Sequence, residues 1–168
     1  ALNTSDSNIP QLIIASTSSS LMVAGKTMSS IAAGFNTTSE EALLNLIENG
    51  GSEILVFDNS LSEKVVNDFC DHALSFIATN GSGYSTQDTN KLIHPRCFGT
   101  APKFLRNVIH SKVISLPEAI RKLTSGPANK IGLADRGIIA IDAKADLVLF
   151  DEAKINSSAT EKNPYHYA

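Results

Sequence analysis

Short apolar runs alternate with amphipathic stretches along most of the chain. Residues 11–16 (QLIIAS) form a run of strand length, and residues 26–33 have apolar side chains at helical spacing, with Gly34 as the expected end of that helix. Residues 39–78 alternate helix, strand, helix, strand. This alternation is typical of a parallel α/β sheet or barrel. The two strands predicted within it are 53–57 and 74–78.

Two capping boxes mark helix starts in this alternating region. Thr38 is followed three residues later by Glu41, and Ser60 by Glu63. In such a box, each side chain satisfies a backbone N–H that the first helical turn leaves unpaired. Helices are therefore predicted to begin at both places.

The second half of the chain contains two more predicted helices and a hairpin. Pro102 is expected to open a helix that runs to about residue 111, and Ser115 to begin another that ends at Gly126. Residues 137–141 and 146–150 then predict two strands joined by a tight polar turn. The pattern divides the chain into a disordered lead-in (1–10), a partial α/β barrel (11–132), and a β-domain hairpin with a polar tail (133–168).

Composition and charge narrow the classes of partner. The chain has 168 residues, 42% of them hydrophobic, which suffices for one domain with a real core. The net charge is -3 and the sequence has no Lys/Arg cluster, so it predicts no basic surface that would bind nucleic acid or an anionic membrane. The apolar runs are too short for a membrane span, and the N-terminus does not read as a signal peptide.

Cys70 and Cys97 have no CxxC spacing, so free thiols in the cytoplasm are expected.

Candidate chemistry concentrates in residues 79–90, which are polar and rich in Gly and Ser and directly follow the predicted strand 74–78. In α/β folds, the loops after the carboxyl ends of strands form the active site. The four histidines are scattered, and no HxH or HExxH motif is present. The chain is therefore expected to build no metal site by itself.

An ordered series of matches runs from residue 94 to residue 151. It consists of an HPR triplet, an FGT step, a helix, a Gly-Leu-Asp-Arg-Gly-like turn, and an ADLVLFD strand. This series resembles the D-aminoacylase family, the N-acyl-D-amino-acid deacylases of the amidohydrolase superfamily. Weaker likeness extends upstream to about residue 11. The matching segments are 94–96, 98–100, 116–125, 127–137 and 145–151.

The resemblance implies a fold and a chemistry. The fold would be the C-terminal portion of a TIM-like amidohydrolase barrel followed by the start of a small β-domain. The activity would be zinc-dependent hydrolysis of the amide of N-acyl-D-amino acids. Zinc would polarise the acyl carbonyl and acidify its bound water. A carboxylate at the end of the last barrel strand would move the proton, and an arginine would hold the substrate carboxylate.

The implied roles transfer to three residues of this chain. Asn80 occupies the place of the aspartate that serves as acid and base in the family's GSDG motif, and an amide cannot be a general base near neutral pH. Arg96 falls on the arginine that binds the substrate carboxylate. His94 either contacts substrate or, as the commoner role, shapes its loop. The family's metal ligands, an HxH pair, a bridging Cys and further His residues, have no counterpart here, so this chain is expected to contribute no ligand to zinc.

Whether the chain is an enzyme stays open at this point. One hypothesis is a segment of a deacylase-like hydrolase that is inactive alone. Another is a non-catalytic amidohydrolase-like binding or structural relic, which Asn80 and the absent ligands favour. A small unrelated α/β binding module ranks last. Because part of a barrel leaves strand edges uncovered, self-association or a missing N-terminal half is expected.

Overall fold

A computed structural model describes residues 8–17, 21–50, 54–58, 60–87 and 92–168. The chain divides into two compact units. The first unit comprises Ala1–Ser62, Tyr84–His94 and Glu161–Pro164, and the second comprises Glu63–Gly83, Pro95–Thr160 and Tyr165–Ala168. Residues 1–7 of the predicted lead-in, Gly51, Glu53 and residues 88–90 of the polar loop lie outside the described residues. The lead-in predicted for residues 1–10 ends in a short 3-10 turn at Ile9–Gln11.

The first unit contains two strands and two helices. Strand β1 pairs antiparallel with β2, with Ile13 opposite Phe57 and Ile14 opposite Val56. Within the described residues this is the one sheet, so the parallel pairing predicted from the alternating pattern is not seen. Pattern alone cannot set strand direction, since the same apolar runs serve either ladder. The elements are β1 (Ile13–Ser16), α1 (Met28–Phe35), α2 (Ser39–Gly50) and β2 (Leu55–Phe57), with a 3-10 turn at Leu21–Val23.

The core of the first unit forms where β1 meets one face of each helix. Ile14 and Met28 are fully buried, and the partly buried Leu43 and Leu46 pack against the cluster. The neighbouring Leu44 and Ile47 of the same helix are exposed. The buried cluster consists of Ile14, Met28, Ile31, Ala32 and Ala42.

Helix α1 begins at a side-chain cap and ends two residues later than predicted. The hydroxyl oxygen of Thr27 accepts a hydrogen bond from the backbone N–H of Ser30 at 3.2 Å. The predicted end at Gly34 is wrong, because Gly34 lies inside the helix. The helix ends at Asn36, whose φ of 54° is left-handed. Asn tolerates this conformation better than most residues, which makes it an alternative to glycine at a helix end.

Helix α2 begins with the predicted capping box, which is confirmed. The N–H of Glu41 donates to Oγ1 of Thr38 at 3.2 Å, and the N–H of Thr38 donates to Oε2 of Glu41 at 3.2 Å. The hydroxyl of Thr37 also donates to this carboxylate. These hydrogen bonds, led by that from Thr37, lower the pKa of Glu41.

Replacing Glu41 with Gln is expected to make the free energy of unfolding depend less on pH in the acid range. A carboxylate with a lowered pKa in the folded state stabilises the fold above its unfolded pKa, near 4.5, and this contribution is lost as the pH falls through the folded value. Urea unfolding of both proteins across that acid range would measure the difference. Glu48→Gln, on the same helix, is the control. If the two variants show the same pH dependence, the capping carboxylate does not contribute.

The second unit is built around four helices. These helices are α3 (Glu63–Asp71), α4 (Arg96–Ser111), α5 (Leu116–Leu123) and α6 (Ser125–Lys130). Its core joins α4 to α5 through Phe104, Leu105, Val108 and Ala119. Helix α5 starts at the predicted place, since Oγ of Ser115 accepts from the N–H of Glu118 at 3.3 Å.

Three helix boundaries in the second unit differ from the prediction. Helix α3 begins at Glu63, three residues after the Ser60 that was expected to cap it. Helix α4 begins at Arg96, and Pro102 lies inside it rather than at its start. One interior proline removes a single backbone hydrogen bond, which the remaining turns of a long helix can tolerate. Gly126 does not stop the helical course, because α6 begins at Ser125 and contains Gly126 and Pro127. Pro127 stands in the first turn of α6, where backbone N–H groups need no helical partner.

Three predicted strands of the second unit are absent from the structure. Residues 74–78, 137–141 and 146–150 form no ladder. Leu74 is 84% exposed and Leu149 is fully exposed, so these segments are also not buried. The turn between the last two is present, and Asp142 adopts the left-handed φ of 65° that the tight turn requires. An apolar alternation supplies strand propensity, but a ladder also needs a neighbouring strand.

Candidate active site

Asn80 and Gly81 form an exposed turn in the second unit. Asn80 has a φ of 44°, and the N–H of Gly81 donates to the hydroxyl oxygen of Thr79 at 3.1 Å. Neither residue lies in a helix or strand. The Asn80 side chain is thus carried on a left-handed corner and faces water, where its amide can donate and accept hydrogen bonds.

This turn packs tightly against the first turn of α4. A Cβ atom added to Gly81 would lie 3.0 Å from Cα and 3.1 Å from Sγ of Cys97. Only glycine allows so close an approach to a backbone. Since Cys97 directly follows Arg96, the structure brings Asn80 and Arg96 into one neighbourhood of the second unit.

Arg96 is the first residue of α4. Its N-cap is Pro95, whose carbonyl accepts from the N–H groups of Phe98 at 3.1 Å and Gly99 at 2.9 Å. The hydroxyl of Thr100 donates to the Arg96 carbonyl at 2.8 Å, which steadies the same turn. Arg96 is exposed. A guanidinium at the positive end of a helix favours a carboxylate as its ligand, because charge-assisted hydrogen bonds and the helix dipole act in the same direction.

The C-terminal segment packs against other residues of this turn. A Cβ atom on Gly99 would collide with the side chain of Ser157. The ring of Phe98 contacts Tyr167 with centroids 5.0 Å apart and Tyr165 at 5.8 Å. Sequence reasoning assigned these residues to a polar tail and missed them. The two tyrosines in this polar segment were the one feature that could have indicated its packing against the rest of the unit.

His94 belongs to the first unit, although it is two residues from Arg96 in the sequence. Its ring meets the ring of Phe57 edge to face, with centroids 5.5 Å apart and planes at 81°. This contact is a packing interaction. The role of His94 in shaping its loop stays a prediction.

Lys122 anchors the segment that leads into the turn, and sequence reasoning gave it no role. Its side chain is fully buried. Nζ donates to the carbonyl oxygens of His72 and Ser75 and to the Ser75 hydroxyl, the last two at 3.1 and 2.9 Å. The backbone of Lys122 also accepts from the N–H of Ile77 at 3.3 Å. All three ammonium protons therefore have acceptors, and residues 72–77 are fastened to α5.

The titratable groups give no support for a thiol or metal centre in the described part of the chain. Cys70 and Cys97 are free thiols. Burial raises the pKa of Cys70, with a smaller contribution from the Asp71 charge, so its reactive thiolate is disfavoured. Within residues 8–17, 21–50, 54–58, 60–87 and 92–168, no three His, Cys, Asp or Glu side chains are grouped to hold a metal ion. The residues present in those ranges do not fit zinc.

Comparison with known proteins shows which family the chain resembles. The model of the "Amidohydrolase family" matches residues 97–164. N-acyl-D-aspartate deacylase of Alcaligenes xylosoxydans xylosoxydans is 30% identical over 141 residues, which are 83% of this chain and 26% of that protein. The chain is thus similar to the amidohydrolase family over residues 97–164, and to a deacylase over most of its own length. The predicted likeness to N-acyl-D-amino-acid deacylases is confirmed.

Solved amidohydrolase structures show the same fold. N-acyl-D-glutamate deacylase from Bordetella bronchiseptica, solved with zinc and a phosphonate inhibitor, aligns with a TM-score of 0.79 at 24% identity, over 94% of this chain and 31% of that one. A D-aminoacylase structure aligns with the same TM-score at 25% identity, over 93% and 31%. The chain thus spans about a quarter to a third of the amidohydrolases it matches. No helix in its described part is both long and apolar enough to cross a bilayer.

Proposed function

We propose that this chain forms the substrate-carboxylate region of a metal-dependent hydrolase that cleaves the amide C–N bond of N-acyl-D-amino acids. In this proposal residues 11–132 belong to a TIM-like barrel and residues 133–168 begin a small β-domain. The observation that supports the proposal is the close packing of Gly81, which follows Asn80, on Cys97, which follows Arg96.

Arg96 is the proposed substrate-binding residue. Its guanidinium can hold a carboxylate through two parallel N–H···O bonds, and the adjacent helix end adds a second favourable interaction. The substrates of the relatives, N-acyl-D-aspartate and N-acyl-D-glutamate, carry the α-carboxylate that such a site recognises. His94, in the first unit, is proposed to shape its own loop through its contact with Phe57.

Asn80 is proposed to occupy the acid/base position without acting as a base. Its amide can hydrogen-bond to a substrate or water, but it has no basic oxygen near neutral pH. Among the described residues, no three His, Cys, Asp or Glu side chains are grouped so that they could hold a metal ion. For both reasons the chain is proposed to be inactive in isolation and to require residues from a further part of an enzyme.

A second candidate function is a non-catalytic binding or structural relic of an amidohydrolase. The presence of Asn80 at the proposed acid/base position favours it. The two candidates differ in whether the Arg96 region still recognises N-acyl-D-amino acids, since a purely structural relic has no reason to keep that recognition.

Titration of the chain with N-acetyl-D-glutamate, followed by amide NMR shifts, tests the proposal. Binding is expected to shift the signals of residues 79–81 and 96–100. Arg96→Gln should weaken it at least about tenfold, because a charge-assisted pair is lost. Arg106→Gln, on the same helix, is the matched control. Equal binding by both variants would contradict the role of Arg96. If neither the unmodified chain nor Arg106→Gln binds, the result favours the non-catalytic relic.

Hydrolysis by the same samples, with zinc added, tests the role assigned to Asn80. The unmodified chain is expected to release no free D-glutamate. Turnover by the chain and equally by Asn80→Asp would show that the acid/base position lies elsewhere.

The isolated chain is expected to associate with itself or a partner, because it exposes many large apolar side chains. Phe69 is 70% exposed, Leu74 84%, Ile139 92% and Ile141 94%. Monomers rarely expose large apolar patches, so side chains such as these are expected to be covered on association wherever they adjoin one another. Size-exclusion chromatography with light scattering should report a mass above the 17.9 kDa of one chain. A well-behaved monomer would count against this expectation.

A further inference from the structure

The sequence contains two Asn-Gly steps in contrasting environments. Asn49-Gly50 forms the end of helix α2, where the Asn49 amide donates to the Asn45 carbonyl at 2.7 Å and Gly50 is buried. Asn80-Gly81 lies in the exposed turn beside α4, outside any helix or strand. The two steps share the same local chemistry and differ in how the fold holds them.

The Asn80-Gly81 step has the features that favour attack of a backbone nitrogen on a side-chain amide. Asn80 is exposed on a left-handed corner, and no helix or strand fixes its peptide. The N–H of Gly81 donates to a threonine hydroxyl rather than to a helical carbonyl, so freeing it costs a single local hydrogen bond. Glycine adds no side chain to hinder the approach, and the close contact with Cys97 prevents its replacement by a larger residue without strain.

We propose that Asn80 is a self-modification site that deamidates in the folded chain and places a carboxylate on this turn. The Gly81 nitrogen, after losing its proton, forms a bond to Cγ of Asn80, and the Cγ–NH2 bond breaks to release ammonia. The product is a five-membered succinimide. Water then adds to Cγ, and the bond from Cγ to the Gly81 nitrogen breaks. The net change converts one amide and one water into one carboxylic acid and one ammonia.

Water can also add to the main-chain carbonyl of the succinimide. The chain would then run through Cγ, as isoaspartate, and the backbone between residues 80 and 81 would lengthen by one carbon. The tight approach of Gly81 to Cys97 leaves little room for that lengthening, so aspartate is the product that fits the turn. The use of this carboxylate as an acid or base rests on the proposed function, whereas the conversion itself does not.

Incubation of the full chain at mildly alkaline pH, followed by peptide mapping, tests the conversion. Each deamidation adds about one dalton, the difference between NH2 and OH. Asn80 is expected to convert at least about tenfold faster than Asn49, the factor set by the hydrogen bonds that the end of α2 must break. Asn80→Gln should abolish the mass gain in this peptide. No gain at Asn80, or an equal rate at Asn49, would overturn the proposal.

Two further arms separate the contribution of the fold from that of the dipeptide. In denaturant, the two steps should convert at similar rates, because their neighbouring atoms are alike. A tenfold preference that persists in denaturant would overturn the structural argument. Fragmentation that distinguishes the two isomers should find aspartate in the folded sample, with Asn80→Asp as the standard, and isoaspartate alone would overturn the placement of the carboxylate. Substrate binding by the fresh chain is measured separately, so failure of the proposed function leaves these readings intact.

Discussion

Lys122→Met is expected to lower the free energy of unfolding by about 2–4 kcal/mol, the range for removing one partner from a buried charged hydrogen-bond network. Met keeps most of the aliphatic stem, so the cavity is small and the loss reports on the ammonium. The carbonyl oxygens of His72 and Ser75 and the Ser75 hydroxyl would each lose the charged donor that Lys122 supplies. Urea unfolding followed by circular dichroism measures the change.

The control for this variant is Lys103→Met, an exposed lysine on helix α4. Surface changes of this kind usually alter stability by less than about 0.5 kcal/mol. Similar losses in the two variants would show that the buried position of Lys122 does not matter. In amide hydrogen exchange, Ile77 should lose protection in Lys122→Met only, because its N–H donates to this part of α5.

Gly137→Ala is expected to destabilise the second unit by about 2–5 kcal/mol, combining a left-handed backbone penalty with overpacking. Gly137 has a φ of 75°, and an added Cβ would lie 2.7 Å from the carbonyl carbon of Thr124 and 2.8 Å from the nitrogen of Ser125. Both are backbone atoms at the junction of α5 and α6, which cannot move aside as a side chain does. Thermal unfolding measures the loss.

Gly132→Ala separates the two contributions. Gly132 has a similar φ of 80°, but no atom lies within 4 Å of the added Cβ. This variant should lose only about 1–2 kcal/mol, from the backbone conformation alone. Equal losses at the two positions would mean that the junction yields to the methyl group.

Local signals allowed the starts of helices α2 and α5 to be predicted. The Thr38–Glu41 box and the Ser115 cap each depend on residues three apart, so neighbouring sequence contains all the information they need. Strands were harder, since residues 74–78 have an apolar run and yet bond to helix α5. Strand formation depends on a partner strand that is often distant in the sequence, and no local pattern specifies that partner.

The candidate site, too, was predictable from the sequence only in part. Arg96 and Asn80 were proposed because they match a family motif, and their neighbourhood follows from one glycine contact that the sequence does not reveal. The Lys122 anchor joins residues 47 and 50 positions apart, and its lysine looks like a surface residue on an amphipathic helix. Tyr167 reaches Phe98 across an even longer separation. Contacts of this range depend on the whole fold.

The aromatic contacts of Phe98 also give the second unit its own optical reporter. The chain has no tryptophan and three tyrosines, of which Tyr165 and Tyr167 pack on Phe98 while Tyr84 belongs to the first unit. Near-ultraviolet dichroism at tyrosine wavelengths therefore follows chiefly the docking of the last residues onto the start of α4. Replacing Tyr84 with Phe leaves a label-free signal for the ordering of the turn that holds Arg96.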